Sequence, residues 1–500
     1  MSGAKKPQIA TLGALKKSEY QSSSIKEELR RNLVKRIKSR KPMFEGIQGY
    51  EDTVLPQLQA AVLSKHNMIF LGLRGQAKTK MARLLTELLD DWVPFVLGAD
   101  LHDDPLKPLS RVAKDIIEEK GDETPIDWWH KSDRYSEKLA TPDVSIADLI
   151  GDVDPIKAAT QKLDYSDERV IHYGMIPRAN RSVFVINELP DLQPRIQVAL
   201  FNMLQEGDVQ IRGFNLRLPL DVQFVFTANP EDYTNRGSIV TPLKDRIESQ
   251  ILTHYPKTIE LSRLITEQES RISDEQRAAV QVPDLLKNLI ERIAFEARES
   301  EYVDQKSGVS ARLTISAMES LYSVAERRML INGEKNTIAR ISDLLGVIPA
   351  ITGKIELVYE GELEGISNVA IYLIGKAIRS EFENYFPSPE KLKKIKNAEQ
   401  IYAPVVNWFN EGQQVDVLQN DSLKDYAAAL NRVPGLENVI DKSQSRTPKD
   451  EKFLMMEFLL HGLSEFSMLS KHKIDQGAQF KDIMSGMIDM DMDFEEEDVV

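Results

Sequence analysis

The stretch best suited to chemistry is a loop in which small residues precede a lysine and a hydroxyl. Residues 72–79 read GLRGQAKT and fit the pattern G-x-x-x-x-[GA]-K-[ST]. In such a loop backbone N–H groups converge on the β-phosphate of a nucleotide, the lysine neutralises the β- and γ-phosphates, and the hydroxyl ligates Mg²⁺. The residues expected to bind ATP are Gly72, Leu73, Arg74, Gly75, Gln76, Ala77, Lys78, Thr79 and Lys80.

One position of this loop departs from the usual pattern, because Ala77 stands where a glycine is common. An alanine costs little there if its φ is negative. A positive φ would be penalised by roughly 1 kcal/mol. Ala77 therefore weakens the match without refuting it.

The elements around the loop have the order that a phosphate site needs. The apolar run Met68 to Leu71 predicts a strand before the loop, and the leucines that follow fall on one face of a helix. The loop then lies where the start of a helix faces the phosphates. This strand–loop–helix order, more than the eight-residue pattern alone, supports a nucleotide site.

Two further strands are expected to bring polar residues to the same edge. The run RSVFVINEL ends in Asn187 and Glu188, and the run VQFVFTAN ends in Asn229. Ligands of open parallel sheets bind at the carboxyl ends of the strands. Glu188 is placed to polarise the water that attacks the γ-phosphate, and Asn229 to hydrogen-bond that water or the phosphate. An apolar strand that ends in Asn-Glu is also common without any function.

Alternation of strands and helices predicts an α/β domain with a parallel sheet between helices, and a β-hairpin through 212–215. From about Ile259 the pattern is wholly helical. We expect a basic arm (1–42), an α/β core (43–257) with an insertion at about 100–160, a helical lid (258–386), a helical C-terminal region (387–485) and an acidic disordered tail (486–500).

Composition limits the classes of function. The 500 residues carry a net charge of −14, but residues 1–41 hold twelve Lys/Arg against three Glu, which leaves −23 for the remainder. An acidic body fits a phosphate backbone poorly, so nucleic acid is an unlikely partner. There is no cysteine, no membrane-length apolar run and no signal peptide, and we expect a cytoplasmic protein.

From Phe44 to Glu383 the chain resembles AAA+ ATPases of the magnesium-chelatase subunit I and MoxR-type branch. The resemblance rests on the segments EGIQGYEDTVLPQLQAAVL, GLRGQAKTK (Walker A), VFVINEL (Walker B), VQIRGFNLRLPLD (presensor hairpin), FTANPED (sensor 1), TPLKDRIESQI and GVSARLTISAMESL (sensor 2). It implies an AAA+ P-loop NTPase fold, binding of ATP and Mg²⁺, and ATP hydrolysis by a ring motor, a hexamer, that remodels a partner protein. Alanine before the Walker lysine occurs in MoxR-type loops.

Carried over by position, the resemblance makes Lys78 and Thr79 the phosphate and metal residues, Glu188 the catalytic glutamate and Asn229 sensor 1. Arg246 matches the arginine finger that reaches a neighbouring subunit, and Arg312 matches the sensor 2 arginine. Surface salt bridges are the plain alternative for both arginines. Relatives act with a von Willebrand A-type partner.

Asn187 is the more serious departure, because Walker B usually ends in Asp-Glu. An aspartate there orients Mg²⁺ through its water ligands, and the missing charge is worth up to a few kcal/mol. We expect ATP to bind but Mg²⁺ affinity or turnover to be lowered. A nucleotide-gated scaffold with little hydrolysis is one alternative.

A DNA-associated AAA+ motor is the other alternative, and the acidic body disfavours it. The sigma-54 activator interpretation fails on residues. Those hairpins carry a Gly-Ala-Phe-Thr-Gly-Ala loop, whereas this tip reads IRGFNLR.

Overall fold

The computed structural model describes residues 5–164, 167–211, 217–229, 238–394, 400–443, 448–474 and 477–483. It divides into two compact units, Met1–Tyr255 and Pro256–Val500. The predicted lid and the predicted C-terminal region both lie in the second unit, and the division between them stays a prediction. The tail at 486–500 lies outside the described residues.

The strands are β1 (Met68–Leu71), β2 (Trp92–Val96), β3 (Ile126–His130), β4 (Tyr135–Leu139), β5 (Gly151–Val153), β6 (Ile171–Tyr173), β7 (Ser182–Asn187), β8 (Asp208–Gln210), β9 (Arg217–Pro219), β10 (Val222–Ala228), β11 (Ser249–Leu252), β12 (Val280–Gln281), β13 (Thr337–Ile338), β14 (Val415–Leu418), β15 (Ser470–Ile474) and β16 (Gly477–Lys481).

In the first unit the α-helices span Leu12–Lys16, Ile25–Lys38, Val54–Leu63, Lys78–Leu84, Arg111–Lys120, Ile146–Leu149, Pro155–Gln161, Met175–Arg178, Pro194–Ala199, Phe201–Gln205 and Thr241–Asp245. In the second unit they span Ile259–Glu269, Asp274–Ala279, Asp284–Glu299, Arg312–Ile331, Ile348–Thr352, Tyr359–Glu364, Ile366–Tyr385, Pro389–Lys393, Ala403–Asn410, Leu423–Asn431, Leu436–Ser443 and Lys452–Glu465. Short 3₁₀ helices span Leu85–Leu88, Gly121–Glu123, Lys131–Asp133, Glu168–Val170, Leu189–Asp191, Ser342–Val347 and Lys449–Glu451.

A five-stranded parallel sheet forms the centre of the first unit, in the order β11-β1-β10-β7-β4. Its inner strands β1, β10 and β7 are the three predicted from apolar runs, and they are buried along their length apart from the final Asn187. Helices on both faces supply the burial that a parallel sheet requires. This sheet, the phosphate-loop position after β1 and the helical second unit confirm the predicted fold class, an AAA+-type P-loop domain followed by a helical region.

The two edge strands β4 and β11 were not predicted. Their sequences, YSEKL and SQIL, are polar because edge strands are only partly covered. Since β4 lies within the segment 100–160, part of that segment contributes a strand to the central sheet, and the insertion itself stays a prediction. Elsewhere in that segment, β3 pairs with β2 and the helix Arg111–Lys120 precedes it.

The hairpin predicted before β10 is built from β8 and β9, which pair antiparallel with Val209 opposite Leu218. Its tip, 212–216, lies outside the described residues. The helix Phe201–Gln205 leads directly into the hairpin.

The basic arm packs on the first unit through its apolar face. Ile25, Leu29 and Leu33 of the helix Ile25–Lys38 are buried against the core that includes Leu58 and Met68. Its basic side chains lie toward the surface, where Arg31 pairs with the Asp90 side chain. The arm therefore has a structural role in this unit.

The second unit is largely helical and is built around one extended apolar core. Its C-terminal part also contains a three-stranded antiparallel sheet, β14-β16-β15, which the sequence analysis did not predict. The strands are short and lie between strongly helical segments, so periodicity gave little signal. No described helix is long and apolar enough to cross a membrane.

Candidate nucleotide-binding site

The loop after β1 has the backbone that its sequence pattern requires. Gly75 has a φ of 73°, and Ala77 has a φ of 57°. Ala77 thus adopts the positive φ that the sequence analysis named as the penalised case, at a cost of about 1 kcal/mol. A side chain at Gly72 would collide with the hydroxyl of Thr253 and the side-chain oxygen of Gln76, so that glycine is required by space.

The loop is held from its outer side by residues that follow β11. The Thr253 hydroxyl donates to Gln76 Oε1 at 2.6 Å, and the Tyr255 hydroxyl donates to the Arg74 carbonyl at 2.9 Å. The Tyr50 hydroxyl lies 3.1 Å from the Gln76 carbonyl, and burial raises the pKa of Tyr50 to about 12. Sequence analysis missed these supports because none belongs to the loop motif.

Lys78 is the centre of the site. Its side chain is buried, with 8% of the residue exposed. The ammonium donates to the carbonyls of Gly72 and Leu73, the latter at 3.0 Å, and to Asn229 Oδ1 at 2.7 Å. The lysine therefore joins the loop after β1 to the end of β10.

Asn229 extends this connection to β7. Its Nδ2 donates to Glu188 Oε2 at 3.3 Å, while its Oδ1 accepts from Lys78. Glu188 has a positive φ of 56°, a costly conformation for a residue with a side chain that is found at functional sites. Its N–H donates to the Thr227 hydroxyl at 3.1 Å. The predicted phosphate lysine, sensor and glutamate are thus brought together.

Two hydroxyls converge on Asn187. Thr79 Oγ1 donates to Asn187 Oδ1 at 3.3 Å, and Thr227 Oγ1 donates to the same oxygen at 3.2 Å. Thr227 is buried and was missed as a site residue, although it stands two positions before Asn229 in the sequence. The structure shows that one hydroxyl, that of Thr227, holds both Asn187 and Glu188.

The side-chain oxygens of Thr79 and Asn187 fit a Mg²⁺ site only if a phosphate supplies further ligands. Hydroxyl and amide oxygens are hard ligands of the kind Mg²⁺ takes. Within the described part of the chain, however, no group of three or more His, Asp or Glu residues could hold a metal ion. Thr79 and Asn187 fit a cation that brings most of its ligands with it as phosphate and water.

The two predicted arginines lie apart in the sequence and in different units. Arg246 follows the helix Thr241–Asp245; its Nε donates to Gln205 Oε1 at 3.0 Å and its guanidinium lies 4.9 Å from the Phe201 ring centroid. Those partners belong to the helix that enters the hairpin. Arg312 begins the helix Arg312–Ile331 in the second unit and is exposed.

A family model described as the Sigma-54 interaction domain matches residues 161–251, less than a fifth of the chain. The matched segment includes Asn187, Glu188, the hairpin, Asn229 and Arg246. The matched segment does not contain the Gly-Ala-Phe-Thr-Gly-Ala loop of sigma-54 activators.

Several solved structures are similar to the chain at low identity. A protein of Cytophaga hutchinsonii ATCC 33406 named as a candidate ATPase is 16% identical over 70% of this chain and 96% of that chain, with a TM-score of 0.28. The magnesium-chelatase complex of BchI and BchD is 20% identical over 65% and 99%, with a TM-score of 0.33. NtrX of Brucella abortus with ATP is 13% identical over 58% and 53%, with a TM-score of 0.33. At these values the likenesses carry no argument about this chain.

Proposed function

We propose that this chain binds and hydrolyses ATP and uses the cycle to remodel a partner protein, as its resemblance to magnesium-chelatase subunit I implies. The observation that supports the proposal is the hydrogen-bonded series Lys78–Asn229–Glu188 at the carboxyl end of the sheet. It joins a phosphate-neutralising cation, an amide and a general base across three strands. A phosphate bound at the loop would compete with Asn229 Oδ1 for the Lys78 ammonium. Because Asn229 also donates to Glu188, the loss of the bond to Lys78 would affect the position of Glu188.

Each residue has a definite task in this proposal. Loop N–H groups and Lys78 bind the phosphates, and Asn229 orients the attacking water. Glu188 accepts the proton of that water. Mg²⁺ bound with ATP supplies charge neutralisation at the β- and γ-phosphates, and Thr79 would be its protein ligand. Asn187 would orient the water ligands of the ion.

Two variants separate binding from hydrolysis. Glu188→Gln keeps the shape and hydrogen-bonding of the side chain but removes the base, so we expect turnover to fall about 10²- to 10⁴-fold while ATP binding is kept. Lys78→Ala should lose ATP binding. Lys65→Ala, an exposed lysine in the same unit, is the matched control. Steady-state phosphate release and equilibrium titration with a fluorescent ATP analogue measure the two effects. Unchanged turnover in Glu188→Gln would remove the proposal of hydrolysis.

A nucleotide-gated scaffold is the second candidate, because the side chain that accepts from the Thr79 and Thr227 hydroxyls is the neutral amide of Asn187. The test is Asn187→Asp, with the ATPase rate titrated against Mg²⁺. If the amide limits the reaction, the aspartate variant shows a lower half-saturating Mg²⁺ concentration or a faster rate. Identical curves would exclude a kinetic effect of Asn187. The scaffold itself is excluded by measurable turnover that Glu188→Gln abolishes.

We further propose that the working form is a ring, a hexamer, in which Arg246 acts on the ATP of the neighbouring subunit. Mixing two inactive variants tests the trans arrangement. An Arg246→Ala subunit keeps its own Glu188, and a Glu188→Gln subunit still offers its Arg246. ATPase activity should therefore return on mixing. No recovery, in a mixture shown by sedimentation to contain both variants in one assembly, would contradict action in trans.

The partner that we propose, a protein with a von Willebrand A-type domain, is suggested by the resemblance alone. Glu188→Gln in ATP should hold the assembled state, so a pulldown with this variant tests the partner. Recovery of a von Willebrand A-type protein supports it, whereas recovery of DNA or a polymerase would favour the DNA-associated motor. Arg312→Ala tests the sensor 2 role, which predicts weakened coupling of ATP to partner release.

A further inference from the structure

The second unit contains a cavity of about 750 Å³ that no motif pointed to. Its walls are mainly apolar and aromatic, formed by Val280, Tyr322, Ile338, Tyr426, Phe453 and Leu454. The parallel strands β12 and β13 line one side of it. A cavity of this size, in which an apolar and aromatic part adjoins several polar groups, has the make-up of a small-molecule site.

The polar group that distinguishes this cavity is Arg340. It is only 3% exposed, and its guanidinium lies 4.0 Å from the centroid of the Tyr426 ring. Nη1 donates to the Asp421 carbonyl at 2.8 Å. Within the described residues Arg340 forms no direct ion pair; the Asp343 and Glu457 carboxylates act on its charge from beyond ion-pair distance. Burial, first, and then the neighbouring Arg328 charge lower the pKa of Arg340.

The nearby buried acids are engaged elsewhere. Asp343 receives two hydrogen bonds from the Arg328 guanidinium, at 3.1 and 2.8 Å. Glu457 accepts from the backbone N–H groups of Ile341 and Ser342 and from the Tyr426 hydroxyl. Neither carboxylate therefore forms a direct ion pair with the Arg340 guanidinium. Arg328 and Arg340 are both buried and lie near each other, but only Arg328 forms an ion pair with a carboxylate, that of Asp343.

We propose that this cavity binds a small organic monocarboxylate with an apolar body, whose carboxylate pairs with Arg340. A planar carboxylate matches the fork of guanidinium donors, and one negative charge balances one positive charge. Besides Arg340, the charged residues that line the cavity are Arg277, Glu334 and Asp450, with a net charge of −1, which disfavours a phosphate dianion more than a monoanion. The apolar walls take the body of the ligand. This inference goes beyond the ATPase proposal and does not depend on it.

The test uses the full chain and a matched pair of probes, 3-phenylpropionate and its uncharged amide, together with butyrate and octanoate. Isothermal titration should give a Kd below about 1 mM for at least one of the carboxylates. For 3-phenylpropionate we expect binding about tenfold tighter than for the amide, because a charge-assisted pair replaces a neutral contact. Equal affinity for acid and amide, or no binding of any carboxylate at that level, would overturn the proposal.

Three variants locate the binding. Arg340→Met should remove the preference for the acid over the amide. Ala278→Trp places a large side chain into the cavity from an exposed helical position and should abolish binding of both probes. If Arg340→Met does not fold, this variant still tests whether the ligand binds in the cavity. Arg327→Met, at an exposed arginine that does not line the cavity, is the control and should bind like the unmodified chain. Unchanged binding in Ala278→Trp would place the ligand elsewhere.

Discussion

The two ends of the central sheet in the first unit hold their polar groups in different ways. At the amino end, each strand is preceded by a charged or amide residue: Glu248, Asn67, Asp221, Arg181 and Arg134. Arg134, Asp221 and Arg181 among them are bound within the chain at short distances. Arg134 donates to both oxygens of Glu28 at 2.7 Å, and Asp221 accepts from the Ile25 N–H at 2.7 Å.

Around Asn187 and Glu188 the carboxyl end is arranged more loosely, although Lys78 and Asn229 are joined there at 2.7 Å. Three of its side-chain hydrogen bonds, from Asn229 to Glu188 and from Thr79 and Thr227 to Asn187, are 3.2–3.3 Å long. Glu188, Asn187 and Thr79 are also partly exposed, whereas Glu28 and Arg134 are buried. Long bonds between partly hydrated groups are readily exchanged for bonds to a ligand. One end of the sheet therefore secures the fold, whereas the polar groups at the other end could exchange their hydrogen bonds for bonds to a ligand.

The largest effect is expected from removing one partner of the ion pair at the amino end. Glu28→Gln leaves Arg134 buried without a counter-charge, and we expect the free energy of unfolding to fall by about 3–5 kcal/mol. Glu27→Gln, in the same helix but in an exposed pair with Lys65, should have a much smaller effect because solvent screens that pair. Urea titration measures both. A loss in Glu28→Gln as small as in Glu27→Gln would contradict a structural role for the buried pair.

Asp221, at the same end, has no comparable cationic partner and should make stability depend on pH. Burial raises the pKa of Asp221 to about 6 from an ordinary 3.8. Between these values the folded protein holds a proton that the unfolded chain has released, so the free energy of unfolding falls as pH rises from about 4 to 6. The whole penalty, about 2–3 kcal/mol, is present above pH 6.

Asp221→Asn removes that titration while it keeps an oxygen for the Ile25 N–H. We expect the variant to be the more stable form at pH 7, by up to about 2–3 kcal/mol, and to lose the fall in stability from pH 4 to 6. Urea titrations at several pH values measure this. Asp245→Asn, at an exposed acid, is the control and should keep the slope of the unmodified chain. A slope that survives in Asp221→Asn would assign the pH dependence to another group.

That the predicted residues of the carboxyl end lie close together could be expected from the sequence for a physical reason. Lys78 and Thr79 belong to a contiguous loop motif, and Glu188 and Asn229 each follow an apolar strand, so local pattern and the rule for parallel sheets were enough. The amino end gave no such signal. Glu28 and Arg134 are 106 residues apart and meet only after the sheet and the arm have packed.

Backbone geometry was the other limit of prediction. The energetic cost of a positive or a negative φ at Ala77 could be predicted from the sequence. Whether φ is positive or negative is known only from the structure. The polar edge strands β4 and β11 were missed because their positions depend on pairing with β7 and β1, not on their own periodicity. Thr227 was missed because its role depends on the Asn187 side chain and the Glu188 N–H, which belong to a distant part of the sequence.

A smaller effect should come from Thr227, the residue that holds the carboxyl end together. Thr227→Val removes a buried hydroxyl bonded to the Asn187 side chain and the Glu188 N–H, so we expect a loss of about 1–2 kcal/mol in stability. Because both site residues lose their support, ATP turnover should fall by about tenfold or more. Thr227→Ser keeps the hydroxyl and is the matched control. Full turnover in the folded valine variant would show that Thr227 does not position the site.

The smallest effect is expected at Ala77, where the carboxyl end carries backbone strain. Ala77→Gly should raise the free energy of unfolding by up to about 1 kcal/mol, because glycine adopts a φ of 57° without a side-chain clash. Ala60→Gly, in the helix Val54–Leu63, should have the opposite sign, a loss of about 1 kcal/mol. Thermal or urea unfolding distinguishes the two. If Ala77→Gly instead destabilises the chain, the flexibility that glycine adds to the unfolded state outweighs the strain, and the positive φ of Ala77 is held at little cost.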